Sequence, residues 1–448
     1  MVATRSSTRV ATREPRNFSG YINRVLSTAN FKFLQEVALR ARMVQEGDAA
    51  KDITCAIDKT SYKCVPKELV LTITFSDNTN WIVRIPHLPV DAAKAPQHAV
   101  DMLSEIATIK TVKSRTTIPV PQVFAFDASS SNKFGFPYIL MECLKGRVLD
   151  YRTPMVRQVP SEHLPHVARQ LADVLYQLEN LTFDRLGRIW CGEKCDEPPQ
   201  IIPCKLPDKA SARECPRTST EWFNLLRQDA DRQARETQTS CPDWRTARCI
   251  LKEAVDHCII QDRVHGPFPL CHLEFHRRNL LFDEQYNLTG VLDWSQAATT
   301  PLERLAVSME YAKFYVHDRE HNQVIVGFRD MIREHLQKLG EKAEQPSPPD
   351  KQTTTLSIIF GSRQADIAHC CIYGLPHRAI YDGRRACEIL YGENQSWDRL
   401  VAVYGKEKPK KDPSWIESFR SARENEFNIR YSVSKGRDGR LIYRPEYD

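Results

Sequence analysis

The order in which the hydrophobic periods follow one another narrows the fold more than any other feature of this chain. Leu69, Leu71, Ile73 and Phe75 alternate with Val70, Thr72 and Thr74, a period of two that lays one face of a strand on a core. Asp77–Asn78 is a turn signal, Trp81–Ile85 is the returning strand, and Pro86 closes it. From about Val100 to Val112 the period turns helical, with Leu103, Ile106 and Ile109 on one side. Pro119 and Pro121 punctuate the chain, and Val123–Phe126 and Tyr138–Cys143 read as two more strands. Strands, a helix and further strands predict a small antiparallel sheet with a helix against it. After Gly146 the pattern changes. Leu164, Val167, Ala168, Leu171, Val174, Leu175 and Leu178 trace a long amphipathic helix, and the remainder, apart from residues 268–295, is mostly helical. The expected class is α+β, with two lobes: a small N-terminal lobe of antiparallel sheet plus helix, and a larger, mainly helical C-terminal lobe.

We divide the chain into a basic tail and N-terminal helix over residues 1–48, a sheet lobe over 49–143 and a helical lobe over 144–448, with an insert at about 190–217. The N-terminal helical pattern covers residues 20–45, with Ile22, Val25, Leu26, Phe33, Leu34, Val37 and Leu39 as candidate buried positions. Ahead of it, Arg5, Arg9 and Arg13 share a helical face. A mitochondrial presequence has such a face, but Glu14 and Pro15 favour a plain basic tail and a cytoplasmic protein. No run approaches the ~20 apolar residues of a membrane helix. The net charge of +6 on 448 residues is dispersed. It suits an anionic substrate such as a nucleotide and does not by itself argue for nucleic acid, which ranks low as a partner. The 14 cysteines are scattered, and Cys191, Cys195, Cys204 and Cys215 lack a C-x-x-C pair. They read as reduced thiols rather than a zinc site.

The chemistry-bearing stretch is Leu270–Trp294, LCHLEFHRRNLLFDEQYNLTGVLDW. It resembles the H-x-D-x-x-x-x-N pattern, followed by a hairpin ending in I-D-W, of the aminoglycoside phosphotransferase (choline-kinase-like) family of the protein-kinase-like fold. His272, Glu274 and Asn279 fall on the H, D and N positions, and Asp293 on the second motif's Asp. Pro301, Leu302, Glu303, Leu305 and Ala306 resemble the segment that follows. Upstream, Arg84 in Trp81-Ile-Val-Arg-Ile-Pro86 falls on the strand cation that grips nucleotide phosphates, and Glu105 on the helix glutamate that pairs with it. Fungal-type relatives often carry Arg in this x-R-I-P setting. Thr117–Pro121 resembles the family's I-P-V-P segment, and Ile139–Glu142 the strand that enters the hinge. Backbone groups of Glu142, Cys143 and Leu144 would there meet adenine. Gly146–Leu149 and Thr218–Phe223 also match, so the resemblance runs in order over roughly residues 50–310.

The resemblance implies ATP and Mg²⁺ as cofactors and a small-molecule alcohol as acceptor. Asn279 and Asp293 would supply oxygen ligands to the hard cation. Glu274 would face the acceptor hydroxyl, and all three form the catalytic set. His272 reads as structural, His276 as a packing residue, Asp283 as a turn cap, and Arg277 and Arg278 as a solvated face or an anion contact. Two departures bear on activity. The segment expected to cover the phosphates, Asp58–Lys67, has no glycine to let backbone N–H groups approach them. Glu274 stands where the family has Asp, which displaces the carboxylate by about one bond length. Two readings follow: an ATP-dependent small-molecule phosphotransferase, or a pseudokinase scaffold that binds nucleotide or recruits a protein partner.

Overall fold

The computed structural model describes residues 19–65, 68–87, 95–150, 153–204, 214–238, 241–308, 310, 319–343, 353–372, 378–392, 396–406, 430–435 and 441–446. The Arg5/Arg9/Arg13 face lies outside them. The chain divides into two compact units. One comprises residues 1–222 and 259–365, the other 223–258 and 366–448.

The first unit holds a five-stranded sheet in the order β1-β2-β3-β5-β4: β1 (Cys55–Val65), β2 (Glu68–Phe75), β3 (Asn80–Pro86), β4 (Val123–Asp127) and β5 (Tyr138–Glu142). Each strand is antiparallel to its neighbours. The alternation read from the sequence sets the two faces. Leu69, Leu71, Ile73 and Phe75 join Trp81, Val83, Ile85 and Leu140 in one buried cluster under helices α1 (Ser19–Thr28) and α2 (Phe31–Glu46). Ile139, Met141 and the partly buried Ile82 face the other way, into a second cluster with Met102, Ile106 and Ile109 of α3 (Ala95–Arg115). The single helical pattern over 20–45 is therefore two helices. Asn30 accepts from Phe33 N at 3.1 Å and caps the second one, satisfying one of the N–H groups that a helix start leaves over.

Asp58–Val65, expected as a loop over the phosphates, runs mostly as strand β1. Its pairing with β2 slips only between Ile57 and Tyr62, where the ladder bulges.

Cys143–Gly146 leads from the sheet into the helical part, through α4 (Met155–Gln158) and α5 (Leu164–Asn180). Short strands β6 (Thr182–Phe183), β7 (Arg188–Trp190) and β8 (Gln200–Ile202) follow. The last two pair as an antiparallel hairpin. Two strand systems then build the stretch between residues 268 and 299. Strand β9 (Phe268–Cys271) lies between β6 and β12 (Ala298–Thr299), and β10 (Leu280–Phe282) pairs with β11 (Leu288–Val291). The second unit contains most of α6 (Ser219–Gln238) together with α7 (Pro242–Cys258), and no described helix of the chain is long and apolar enough to cross a membrane.

Candidate active site

Arg84 sits on the sheet face that α3 covers, because residues two apart on a strand share a face. Its Nη1 donates to Glu105 Oε1 at 2.6 Å and Nη2 to Glu105 Oε2 at 3.4 Å. The pair read from sequence is thus formed. The guanidinium also holds Glu68, with Nε donating at 2.8 and 2.7 Å and Nη2 lying 2.7 Å away. Burial works against the charge on Arg84, but Glu105 and Glu68 outweigh it, so the guanidinium stays protonated with its pKa well above the ordinary value. Burial raises the Glu105 carboxyl, Arg84 opposes the shift, and the charges of Glu68 and Asp293 add to it. Glu68 carried no motif signal. The strand register places it: Val70 pairs with Arg84 and Glu68 with Pro86, so Glu68 lies diagonally across from Arg84 on the same face.

Side-chain contacts hold the loop between β9 and β10 in place. His272 Nε2 lies 2.8 Å from the Leu292 carbonyl, which can only accept, so Nε2 carries the proton. The ring is buried edge-on against Trp294, and burial lowers its pKa, keeping it neutral. Its role is structural, as the sequence suggested. Arg304 Nη2 donates to the Leu273 carbonyl at 3.0 Å, Ser308 Oγ donates to the Phe275 carbonyl, and Asn279 Nδ2 donates to the Glu274 carbonyl at 3.0 Å. Arg277, one of the two arginines read as a solvated face, pairs with buried Glu310 at 2.6 Å. Glu310 also accepts from Arg277 N. Sequence reasoning missed Glu310, which lies beyond the recognised segments.

Asn279 and Asp293 approach through the backbone. Leu292 N donates to the Asn279 carbonyl at 2.8 Å, continuing the register in which Leu280 pairs with Val291. Asp293 is the next residue along, at φ 57°. That left-handed conformation is unusual for a side chain other than glycine, and Asp tolerates it when locally hydrogen-bonded. Here Ser295 Oγ donates to Asp293 Oδ1 at 2.6 Å. With its Nδ2 turned to the Glu274 carbonyl, Asn279 keeps its amide oxygen for other partners. Asn279 and Asp293 thus stand at neighbouring backbone positions at the end of the hairpin, and carboxylate and carboxamide oxygens are the ligand types a hard divalent cation takes.

Glu274 is half-exposed and accepts from His276 Nε2 at 3.0 Å. That hydrogen bond is the main cause of a lowered Glu274 pKa, which burial and the charge of Asp293 oppose. Asp293 thus acts electrostatically on Glu105, Glu274 and His272 alike. Asp283 caps its turn as expected, accepting from Gln285 N and Asn287 N at 2.9 and 2.8 Å.

At the hinge, Glu142 N donates to the Gln122 carbonyl, and Glu142 Oε2 accepts from Gln122 N at 3.0 Å. Cys143 is exposed. Arg147 and Phe282 exchange backbone bonds of 2.8 and 2.9 Å, and Thr289 Oγ1 donates to the Lys145 carbonyl. The chain leaving the sheet is thereby fastened to the β10–β11 hairpin. A cavity of about 580 Å³ is lined by Arg42, Asp77, Trp81 and Phe124 together with Glu142–Gly146. It reaches Cys143 and Leu144 from the α1–α2 side of the sheet and includes none of Arg84, Glu105, Glu274, Asn279 or Asp293. In the insert, burial pushes the Cys195 thiol up to about 11. Among the described residues no three His, Cys, Asp or Glu side chains gather as a metal cluster.

A five-stranded antiparallel sheet with an Arg–Glu pair on its α3-facing side, a hinge, and a histidine-anchored loop running into a hairpin together define a protein-kinase-like α+β protein. A model of the phosphotransferase enzyme family (APH) matches residues 71–316, more than half of the chain, and the protein belongs to that family. A stretch of 125 residues is 29% identical to altered inheritance of mitochondria protein 9, mitochondrial, of Candida dubliniensis, covering 27% of this chain and 19% of that protein. The chain thus spans about a fifth of the length of the curated relative it matches. Among solved structures, it is similar to a macrolide 2′-phosphotransferase from Brachybacterium faecium, at 17% identity and a TM-score of 0.43, covering 80% of this chain and 99% of that one. It is also similar to a Plasmodium vivax ethanolamine kinase, at 10% identity and a TM-score of 0.43, covering 87% and 89%.

Proposed function

We propose that this phosphotransferase moves the γ-phosphoryl group of ATP onto a hydroxyl of a small molecule. In this reading Arg84, steadied by Glu105, grips the nucleotide phosphates, and backbone groups of Glu142–Leu144 meet adenine. Asn279 and Asp293 hold Mg²⁺, which when bound neutralises charge on the phosphate oxygens. Glu274 orients the acceptor hydroxyl and takes its proton. Its lowered pKa keeps it ionised near neutrality, as a weak base suited to a loose transition state that asks more for positioning than for basicity.

The observation that supports the reading is the backbone bond from Leu292 to Asn279, which draws the residue just before Asp293 against the residue that carries the carboxamide. The test is thermal unfolding of the full chain with millimolar ATP, with and without Mg²⁺, repeated for Asp293→Asn. We expect a nucleotide-induced rise in Tm that needs Mg²⁺ and is lost in the variant. Absence of any rise would remove the reading.

A pseudokinase role is the second reading. It is favoured by the engagement of Arg84 with two carboxylates at once, and by the Glu at position 274. Release of ADP in a screen of alcohol acceptors would exclude it.

A further inference from the structure

Arg84 offers two hydrogen-bonding edges, and both are taken. Glu105 occupies the Nη1/Nη2 edge, and Glu68 occupies the Nε/Nη2 edge with short bonds. The same planar fork matches carboxylate and phosphate. One guanidinium against two carboxylates leaves the trio with a net charge of −1, largely shielded from water, since the side chains of Arg84, Glu68 and Glu105 are 13%, 15% and 5% exposed. An anionic phosphate would meet a repulsive site.

The two glutamates are not equivalent. Glu105 lies within helix α3, surrounded by buried neighbours from Met102 to Ile109. Glu68 is the first residue of β2, at the end of the β1–β2 ladder, where it pairs with Val65. On its other side it faces Pro86, which has no N–H to bind it to the ladder. Glu68 is therefore the partner that can leave.

We propose that Glu68 is a latch on the nucleotide site. Its carboxylate occupies the Arg84 edge that a phosphate would take, and nucleotide binds only as that carboxylate withdraws. Glu68 thereby sets the affinity for the phosphate-bearing part of the ligand. The inference rests on the reading that Arg84 grips nucleotide phosphates. It goes beyond that reading by giving Glu68 an opposing role.

The experiment is calorimetric titration of the full-length protein with ATP in the presence of Mg²⁺, and separately with adenosine, for the wild type, Glu68→Gln and Glu68→Ala. Removing the charge should tighten ATP binding by about tenfold, the factor expected if the latch is closed in about nine of ten molecules. Adenosine, which lacks phosphates, should show no gain. The alanine variant keeps the test decisive where the Gln amide oxygen still bonds Arg84, and it must repeat the gain. Equal or weaker ATP binding in both variants, with the wild type binding, overturns the latch and leaves the kinase reading standing. An equal gain for adenosine also overturns it, because the effect would then be general loosening. No binding of ATP by any of the three proteins overturns both.

Discussion

Glu303 shows how far one buried carboxyl can be from its ordinary behaviour. It is 1% exposed and accepts from Ile260 N at 2.6 Å, and burial, opposed by that bond, pushes its pKa from 4.5 up to about 7. Between those values the folded protein keeps a proton that the unfolded chain has lost. Stability from this residue is therefore full below about pH 4.5, falls as pH rises through the interval, and is lost above about 7. The shift corresponds to roughly 3 kcal/mol at most. Glu303→Gln keeps the acceptor and removes the titration, so its Tm should change less than the wild type's between pH 5 and 8 and exceed it at pH 8. Parallel Tm-versus-pH curves would contradict this. The sequence placed Glu303 in a recognisable segment but could not show that it is buried, because burial depends on what packs over it. His272, Asn279 and Asp293 were legible because their spacing is local. Glu68 and Glu310 were not, because their partners lie 16 and 33 residues away.

Hairpins do most of the positioning. The β10–β11 register brings residue 279 opposite 292, and the same hairpin receives the hinge through Arg147 and Phe282. Gly146 makes that docking feasible. It has φ +124°, and a Cβ there would stand 2.3 Å from Thr289 Oγ1, the hydroxyl that bonds the Lys145 carbonyl. Gly146→Ala would combine an unfavourable backbone angle with a clash, and should cost about 2 kcal/mol or more. Urea unfolding would read this as a lower midpoint, and an unchanged midpoint would show that the hinge is not fastened as described. The strand and helix periods over residues 69–143 were readable in advance, since each reflects one buried face. The division of the 20–45 helix at Asn30, and the absorption of Asp58–Val65 into β1, were not. Both turn on contacts with segments further along the chain: Asn30 N bonds the Phe134 carbonyl between β4 and β5, and Cys55 pairs with Phe75 of β2.

Across the first unit as a whole, the loop carrying Glu274 and Asn279 is tied to elements far along the chain. Glu310 is one such tether, with Arg277 on one oxygen and Met155 N on the other at 3.4 Å. Removing one partner of a buried pair leaves the other uncompensated, so Glu310→Ala should cost about 3 kcal/mol. Replacing both residues with Met should cost less than the sum of the single changes, as a double-mutant cycle by urea unfolding would measure. Additive losses would mean that the pair does not act as a unit. The sequence alone determined the α+β layout and the candidates at positions 84, 105, 274, 279 and 293, because strand and helix periods and short motifs are properties of neighbouring residues. Only the tertiary structure decided that Arg84 is shared between two carboxylates, that Arg277 is a tether rather than a solvated residue, and that Leu292, next to Asp293, bonds Asn279 across one hairpin. Charges and hydrogen-bond donors are satisfied by whatever the fold brings near, and that is set by register and packing rather than by the order of the chain.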